Sequence, residues 1–328
     1  MNLNWEAFLL NQQANIESGN HVVFPRIENS CNESISPVTH LNVLTVSGND
    51  AAKLLQGQIT CNVNDISEIK SSLAAICNPK GRAIATFLLV KKADTFLLIL
   101  PIELLETVRK RLQMFVLRSD VKITDSSDEL CLLGLCESGQ PAKPFVNDTF
   151  QGITGISLPG LIKRSLLITD VDTAIGFYSE YINDKGFRLA SSDDWRYLDI
   201  VSGIPWLTLA TSEEFIPQML NLDKLGGISF NKGCYTGQEI VARTHYLGKS
   251  KREMLLAECT TTTPPEPNAT IINRDSNDQK GVGKVLLAHQ NQGTCTMLVV
   301  LQETDLAYSQ LALKDDTLTS LKLLSFQA

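Results

Sequence analysis

The sequence predicts an α+β protein followed by a separate β domain. Three observations carry that expectation. Short runs of alternating apolar residues are interleaved with two helix-periodic segments between residues 41 and 133. A fainter version of the same pattern recurs up to about residue 203. Beyond Arg252 helical periodicity disappears and only short apolar runs remain. With 328 residues, 43% of them hydrophobic and 20% charged, the chain can bury a large core and divide into roughly two or three domains.

The elements follow in order. LNVLTVSG, residues 41–48, alternates as a strand does, and Asn49 is placed to cap a helix, AAKLLQGQ, with Leu54 and Leu55 inward. Residues 72–77, 83–91 and 95–100 read as three strands. Pro101 suits a first helical turn, and Ile102, Leu105, Val108, Leu112 and Phe115 then recur at helical spacing. DVKIT and ELCLLGL are strands again, so the order is β-α-β-β-β-α-β, of the split βαβ kind. In the second pass RSLLITD is a strand. Asp172 is expected to cap TAIGFYSEYIND, which stops at Gly186, and Ser192 to cap DDWRYLDIV, which stops at Gly203. The pattern resembles a partial duplication. After a loop, TTTTPPEPN, the runs at 254–257, 282–288, 296–301 and 321–326 suggest a β-barrel or sandwich. The expected domains are 1–128, 129–251 and 252–328.

The net charge of −7 argues against a free-standing nucleic-acid binder. Locally the balance reverses. Residues 70–92 hold five Lys or Arg and no acid, 109–122 hold five and one acid, and 232–252 hold five and one. Such surfaces suit an anionic partner, although solvated faces account equally well for Lys91, Lys92 and residues 109–111. The eight cysteines include no CxxC and no zinc or ferredoxin spacing, so no metal site is expected. Cys131 and Cys136 read as buried thiols of a reducing compartment. No signal peptide and no membrane-length apolar run is seen, which points to the cytoplasm and away from membranes.

The chemistry concentrates in FNKGCYTGQEIVART, residues 230–244. Thr236 and Glu239 have capping-box spacing, so a helix is expected to begin near Gly237. Cys234 then lies by the positive end of that helix, with Lys232 and Arg243 adding positive potential, and these influences favour thiolate. Gly233 and Gly237 allow a tight bend or a close approach to a ligand. The plainer reading is a small cysteine packed under a helix start. The polar or amphipathic flanks Lys232, Tyr235, Gln238 and Glu239 weigh against it. None of the four histidines, 21, 40, 245 and 289, is marked as a base, so thiol-protease chemistry ranks low. A single thiolate can instead complete a site on a partner, or form a transient mixed disulfide.

The stretch KGCYTGQE, preceded by FIPQMLNLDKLGGISF, resembles the signature of the YgfZ family, folate-binding proteins linked to tRNA modification and to maintenance of iron–sulfur enzymes. LTVSGNDAAKLLQGQITCNV and NPKGRAIATFLLV match the family's first strand–helix and its next strand pair. The family is in turn similar to the glycine-cleavage T-protein, a tetrahydrofolate-dependent aminomethyltransferase. The resemblance implies two α+β domains and a C-terminal β-barrel in a ring around a folate channel, the first domain being a folate-binding half and the second carrying KGCYTGQE. It implies tetrahydrofolate or a derivative as cofactor, with Trp195, Leu41, Tyr235 and Gln238 as the binding positions. The departures are specific. The family's first tryptophan aligns with Leu41. The acidic pair of T-proteins aligns with GRAIAT, and no carboxylate lies between Lys80 and Lys92. A T-protein glutamate aligns with Val201, with Asp199 two residues earlier. The T-protein reaction is therefore not expected here.

The expected function is that of a cytoplasmic accessory protein supporting iron–sulfur cluster assembly or repair in client enzymes such as tRNA methylthiolases. Its contact with tRNA would be indirect or weak. Cys234 would be the functional thiol, and Lys232, Gly233, Tyr235, Gly237, Gln238, Glu239 and Arg243 would shape its surroundings. The alternatives are a tetrahydrofolate-dependent one-carbon transferase or demethylase, and a folate-sensing regulatory module.

Overall fold

The structure, a computed structural model, describes residues 1–17, 20–25, 33–248, 250–274, 281–291, 293–302 and 310–326. Cys31 and Lys249, counted above, lie outside the described residues. The chain forms α1 (Leu3–Asn11), β1 (Asn15–Glu17), β2 (His21–Val23), β3 (Ser34–Pro37), β4 (Leu41–Ser47), α2 (Ala51–Gln56), β5 (Ser72–Cys77), β6 (Ala83–Lys92), β7 (Thr95–Pro101), α3 (Ile102–Val116) and β8 (Lys122–Asp125). It continues with β9 (Leu130–Glu137), β10 (Asn147–Phe150), β11 (Ile153–Ser157), β12 (Lys163–Asp170), α4 (Val171–Asn183), β13 (Arg188–Leu189), α5 (Ser192–Val201) and α6 (Gln238–Tyr246). The last part holds β14 (Arg252–Thr260), β15 (Thr270–Asn273), β16 (Gly281–Asn291), β17 (Thr294–Gln302), β18 (Leu311–Leu313) and β19 (Lys322–Leu324). No described helix is long and apolar enough to cross a membrane.

Two compact units emerge. The first comprises Met1–Leu54, Asn64–Ser72 and Leu88–Leu198, and the second Leu55–Val63, Leu73–Phe87 and Asp199–Ala328. In the first unit the outer half of β6 joins β7, β4 and β8 in that order, all antiparallel. Helix α3 packs on β4, β7 and β8 through Leu104, Leu105, Val108, Leu112 and Val116. Its outer face carries ordinary local ion pairs, with Arg109 and Lys110 both bonded to Glu106. A second sheet in this unit has the order β10-β11-β12-β9-β3-β13. Its core joins Leu133 and Leu135 of β9 to Phe177 and Tyr178 of α4 and to Trp5, Leu9 and Ile35 from the N-terminal segment. Described residues of the N-terminal segment thus pack with the later sheet, β3 entering it beside β9.

Capping differs in detail from the sequence expectation. Asp170, not Asp172, caps α4: its carboxylate accepts from the Thr173 backbone N–H at 2.9 Å and from the Thr173 hydroxyl at 2.8 Å. Pro101 is the cap residue of α3 rather than its first helical residue. Asn49 does not cap α2. Its side chain donates to Asp120 at 2.8 Å, tying the loop before α2 to the loop before β8. The Ser192 hydroxyl bonds the Val22 backbone, while Asp194 accepts from the Ser191 N–H.

Trp195 lies against the face of β9 opposite the α4 core. Leu133 and Leu135 point to that core, so Gly134 points away from it. A Cβ on Gly134 would stand 2.2 Å from the indole. The missing side chain therefore makes the recess that the ring fills. The Arg164 guanidinium lies 5.0 Å from the ring centroid and bonds the Pro159 carbonyl at 3.0 Å.

In the second unit β5 and the inner half of β6 are joined by a turn at residues 78–82. Strands β14 to β19 form an antiparallel sheet of order β18-β15-β16-β17-β14-β19, a half-barrel. Its core includes Val285, Met297, Val299 and Leu301. Cys259 and Cys295 face each other across β14 and β17, both buried. The strand runs read from the sequence fall on β14, β16, β17 and β19, while β15 and β18 are too short to have shown any period.

The recess at Gly134 gives a test. Gly134→Ala is expected to lower unfolding free energy by roughly 1–3 kcal/mol, the usual cost of forcing an added methyl into a packed core, measured by urea denaturation. An unchanged midpoint would show that the indole is not seated there.

Candidate functional site around Cys234

The site lies in the second unit and is assembled from three chain segments. The first is the turn after β5. Asn78 Oδ1 accepts from the backbone N–H of Lys80 at 2.9 Å and of Arg82 at 3.1 Å, closing the turn. Its Nδ2 donates to Glu213 at 3.0 Å, and Arg82 donates to the carbonyl of Glu213 at 3.3 Å and to that of Glu214. Gly81 sits in this turn at φ +71°.

The second segment is α6 and the residue before it. Gly237 is the N-cap at φ +84°. A Cβ there would be 2.5 Å from Asn78 O and 2.9 Å from Gly81 Cα, and one on Gly81 would be 2.7 Å from Ile240 Cβ. The two glycines therefore let the turn and the helix start meet backbone to backbone, in conformations that L side chains rarely adopt. The expected capping box is absent. α6 starts at Gln238, but no side chain caps it. The Thr236 N–H bonds Gly57 O at 3.3 Å and its hydroxyl donates to Gln58 Oε1 at 3.2 Å. Both Thr236 groups are thus taken by another segment, and Glu239 is exposed.

That other segment, residues 57–61, is the third. It lies between β5 and the cysteine motif. Thr60 exchanges bonds with Ala75 on one side, and on the other its hydroxyl donates to Gly227 O at 2.6 Å while its carbonyl accepts from Ser229 N–H at 2.9 Å. The Lys232 ammonium donates to Ile59 O at 2.8 Å and Cys61 O at 2.7 Å. Burial pushes this lysine down to about 8. Lys232 therefore acts as a clamp on residues 59–61, not as a free charge for the thiol. Arg243 lies six residues past the N-cap, about 9 Å along the helix axis, so it does not flank Cys234 through the helix start.

Between these anchors Cys234 is exposed, and among the described cysteines it alone is so. A Cβ on Gly233 would meet nothing within 4 Å, so this glycine is not demanded by packing. Tyr235 is buried, not a surface flank, with the Lys232 ammonium 5.2 Å from its ring centroid, and burial raises its phenol. Gln238 is half-buried and its N–H bonds Tyr235 O at 3.1 Å. His245 stacks on Phe230, with ring centroids 3.7 Å apart. Among the described residues no group of three His, Cys, Asp or Glu side chains is arranged to hold a metal. The chemistry open to this arrangement is that of one accessible sulfur on a loop fixed at both ends.

The residues expected to hold folate are placed differently. Trp195 is 1% exposed, with Gly134 against its ring and Arg164 over it, and offers no open face for stacking. Leu41 is buried at the start of β4, opposite Pro101. Asp199 is buried and accepts from Trp206 Nε1 at 2.8 Å. These three, as packed here, do not fit a pterin. In the acid-free stretch GRAIAT the Thr86 hydroxyl donates to Pro205 O at 2.6 Å and accepts from Leu207 N–H at 3.2 Å. Val201 is buried among apolar residues. The role of residues 57–61 was missed from sequence. Gln58 and Thr60 stand in a mixed stretch, LLQGQITCNVND, with no pattern that marks them.

The chain is similar to curated proteins named tRNA-modifying protein YgfZ. One from Colwellia psychrerythraea is 30% identical over 305 residues, covering 88% of this chain and 92% of that one. One from Enterobacter sp. strain 638 is 32% identical over 289 residues, covering 84% and 87%. Among solved structures, the glycine cleavage system aminomethyltransferase T from Bartonella henselae matches with a TM-score of 0.63 at 11% identity, covering 90% of this chain and 85% of that one. The fold is thus T-protein-like. A scan against models of known families returned no match.

Two tests follow from the geometry. Gly237→Ala is expected to cost at least ~2 kcal/mol, from strain at positive φ and a backbone clash, whereas Gly233→Ala stays within about 0.5 kcal/mol; thermal or urea unfolding of both variants measures the difference. The second concerns Lys232. Below about pH 8 it is protonated folded and unfolded alike. Between there and the ordinary lysine value of 10.5 the unfolded chain holds a proton that the folded chain has released, so stability rises with pH across that window. Lys232→Met is expected to flatten this rise, seen by comparing unfolding midpoints of wild type and variant from pH 7.5 to 10.5. Parallel curves would contradict the buried clamp.

Proposed function

As the chain belongs to the YgfZ family of tRNA-modifying proteins, we propose that it acts in tRNA modification as an accessory protein, supporting iron–sulfur cluster assembly or repair in client enzymes that modify tRNA, methylthiolases among them. The tRNA link is taken over from the name that the relatives carry. The observation that carries the reading is the exposure of Cys234 on a loop whose neighbours are bonded to residues 57–61. One reachable sulfur with fixed surroundings suits delivery to, or completion of, a site on a partner. The reading leaves tRNA contact indirect.

A folate derivative remains the ligand that the family likeness suggests, bound by surfaces other than Trp195, Leu41 and Asp199 as they are packed here. It would supply one-carbon chemistry, and no residue of this chain is assigned a proton to move for it. The one-carbon transferase reading is weaker, since residues 81–91 hold no carboxylate and the Thr86 hydroxyl is held by residues 205 and 207.

The test is complementation. In a strain lacking the protein, Cys234→Ala is expected to lose at least ~90% of the rescued methylthiolated tRNA, measured by mass spectrometry, while Cys259→Ala, buried in the half-barrel, retains it. Full rescue by Cys234→Ala would remove the thiol role and favour a folate-sensing module. Titration of tetrahydrofolate into Trp195→Phe is expected to give the wild-type affinity.

A further inference from the structure

The segment that carries Cys234 runs back along α6. It begins at Phe230, whose ring centroid lies 3.7 Å from that of His245 and 6.2 Å from that of Tyr246, at the far end of the helix. It ends at Gly237, the N-cap. Phe230 stands four positions before Cys234, a reach of at most about 14 Å. The thiol and the far end of α6 therefore belong to one region of surface.

That far end is apolar and exposed. Tyr246 is 63% exposed and Leu247, the C-cap residue, 81%. His245 stacks on Phe230 at an interplanar angle of 11°, and the Tyr246 ring stands edge-on to His245, 4.8 Å away at 79°. These contacts hold the phenol in place beforehand, so less side-chain freedom is lost when something binds it. Arg243, also exposed, stands one helical turn before Tyr246 and Leu247. Neither Arg243 nor the exposed Lys251 makes an ion pair among the described residues. Tyrosine and arginine side by side are the groups most enriched at the energetic centres of protein interfaces.

We infer that this region is the face on which an iron–sulfur client enzyme docks, with Tyr246 and Leu247 in an apolar pocket of the client and Arg243 on a carboxylate at its edge. The inference rests on the client reading of Cys234 and names the surface that brings the client to the thiol. An interface of ordinary size covers roughly 800 Å² a side, about 30 Å across, so one footprint takes in both. A protein suits these groups better than RNA does. Leu247, the most exposed of them, offers nothing to a base or a phosphate but fills an apolar pocket. Glu239, exposed on α6 one turn before Arg243, repels a phosphate backbone. Charge also disfavours a second copy of this chain. Two-fold pairing of the patch sets Arg243 and Lys251 against the same cations of the copy.

Calorimetric titration of the full chain with a purified iron–sulfur tRNA methylthiolase tests it. Wild type is expected to bind with a dissociation constant below ~100 µM. The double variant Tyr246→Ala, Leu247→Ser and the single variant Arg243→Glu are each expected to weaken binding by ~10-fold or more, the effect of losing an interface anchor. Leu318→Ser, which removes a 91% exposed leucine between β18 and β19, is expected to leave the affinity unchanged. Urea midpoints like that of wild type check that the variants fold. Complementation separates docking from thiol chemistry. Overproducing the double variant is expected to restore methylthiolated tRNA, because concentration offsets weak binding, whereas overproducing Cys234→Ala is expected not to. Five results would overturn the inference: no binding by wild type, unchanged affinity in the patch variants, a double variant that overproduction cannot rescue, binding of tRNA alone that the patch variants lose, or self-association that they lose. None of these bears on Cys234→Ala. Full rescue by Cys234→Ala would fail the thiol reading and leave the docking affinities standing.

Discussion

The close approach of Gly81 and Gly237 is the contact on which the site depends. With a side chain at either position the turn at 78–82 and the start of α6 would be forced apart, because backbone or Cβ atoms of the other stand within 3 Å of the added atom. The contact holds the helix start against the β5–β6 hairpin. Gly237 in turn ends the loop that carries Cys234. A helix capped by a glycine at positive φ needs no capping side chain, which frees Thr236 to bond residues 57 and 58. One steric allowance thus fixes the far end of the loop, and the bonds of Thr236 and Lys232 to residues 57–61 fix its body.

The cysteines of this chain illustrate two environments. Cys77 and Cys131 are pushed up to about 12 by burial, which keeps them protonated and inert. Cys259 and Cys295 are enclosed in the half-barrel. Cys234 is exposed, on a loop whose backbone and flanking side chains are otherwise engaged. The difference is one of position and not of residue type. Lys232 shows the same principle. Its cation, read from sequence as a neighbour of the thiol, has two backbone carbonyls as partners and serves structure.

The likeness to the aminomethyltransferase lies in the fold, at 11% identity. Thr86 ends the acid-free stretch GRAIAT, and Val201 stands two residues after Asp199. Thr86 is absorbed into bonds with residues 205 and 207, and Val201 is packed in the core.

The sequence by itself determined the order and nature of most elements. β4 to β9, α3, α4, β12 and four strands of the half-barrel follow from period-two and helical patterns, because those patterns report which face of an element meets a core. It also singled out the candidate site, since KGCYTGQE stands apart from any packing pattern. Only the tertiary structure decided what the motif's residues do. Capping-box spacing at Thr236 and Glu239 is a local signal, and it lost to the backbone and side chain of residues 57 and 58, some 180 positions away in sequence. Trp195, a folate contact by the family resemblance, has Gly134 and Arg164 against its ring instead. Periodicity records burial along one element. A hydrogen bond or a ring contact between distant segments depends on how the chain returns upon itself, and no local pattern encodes it.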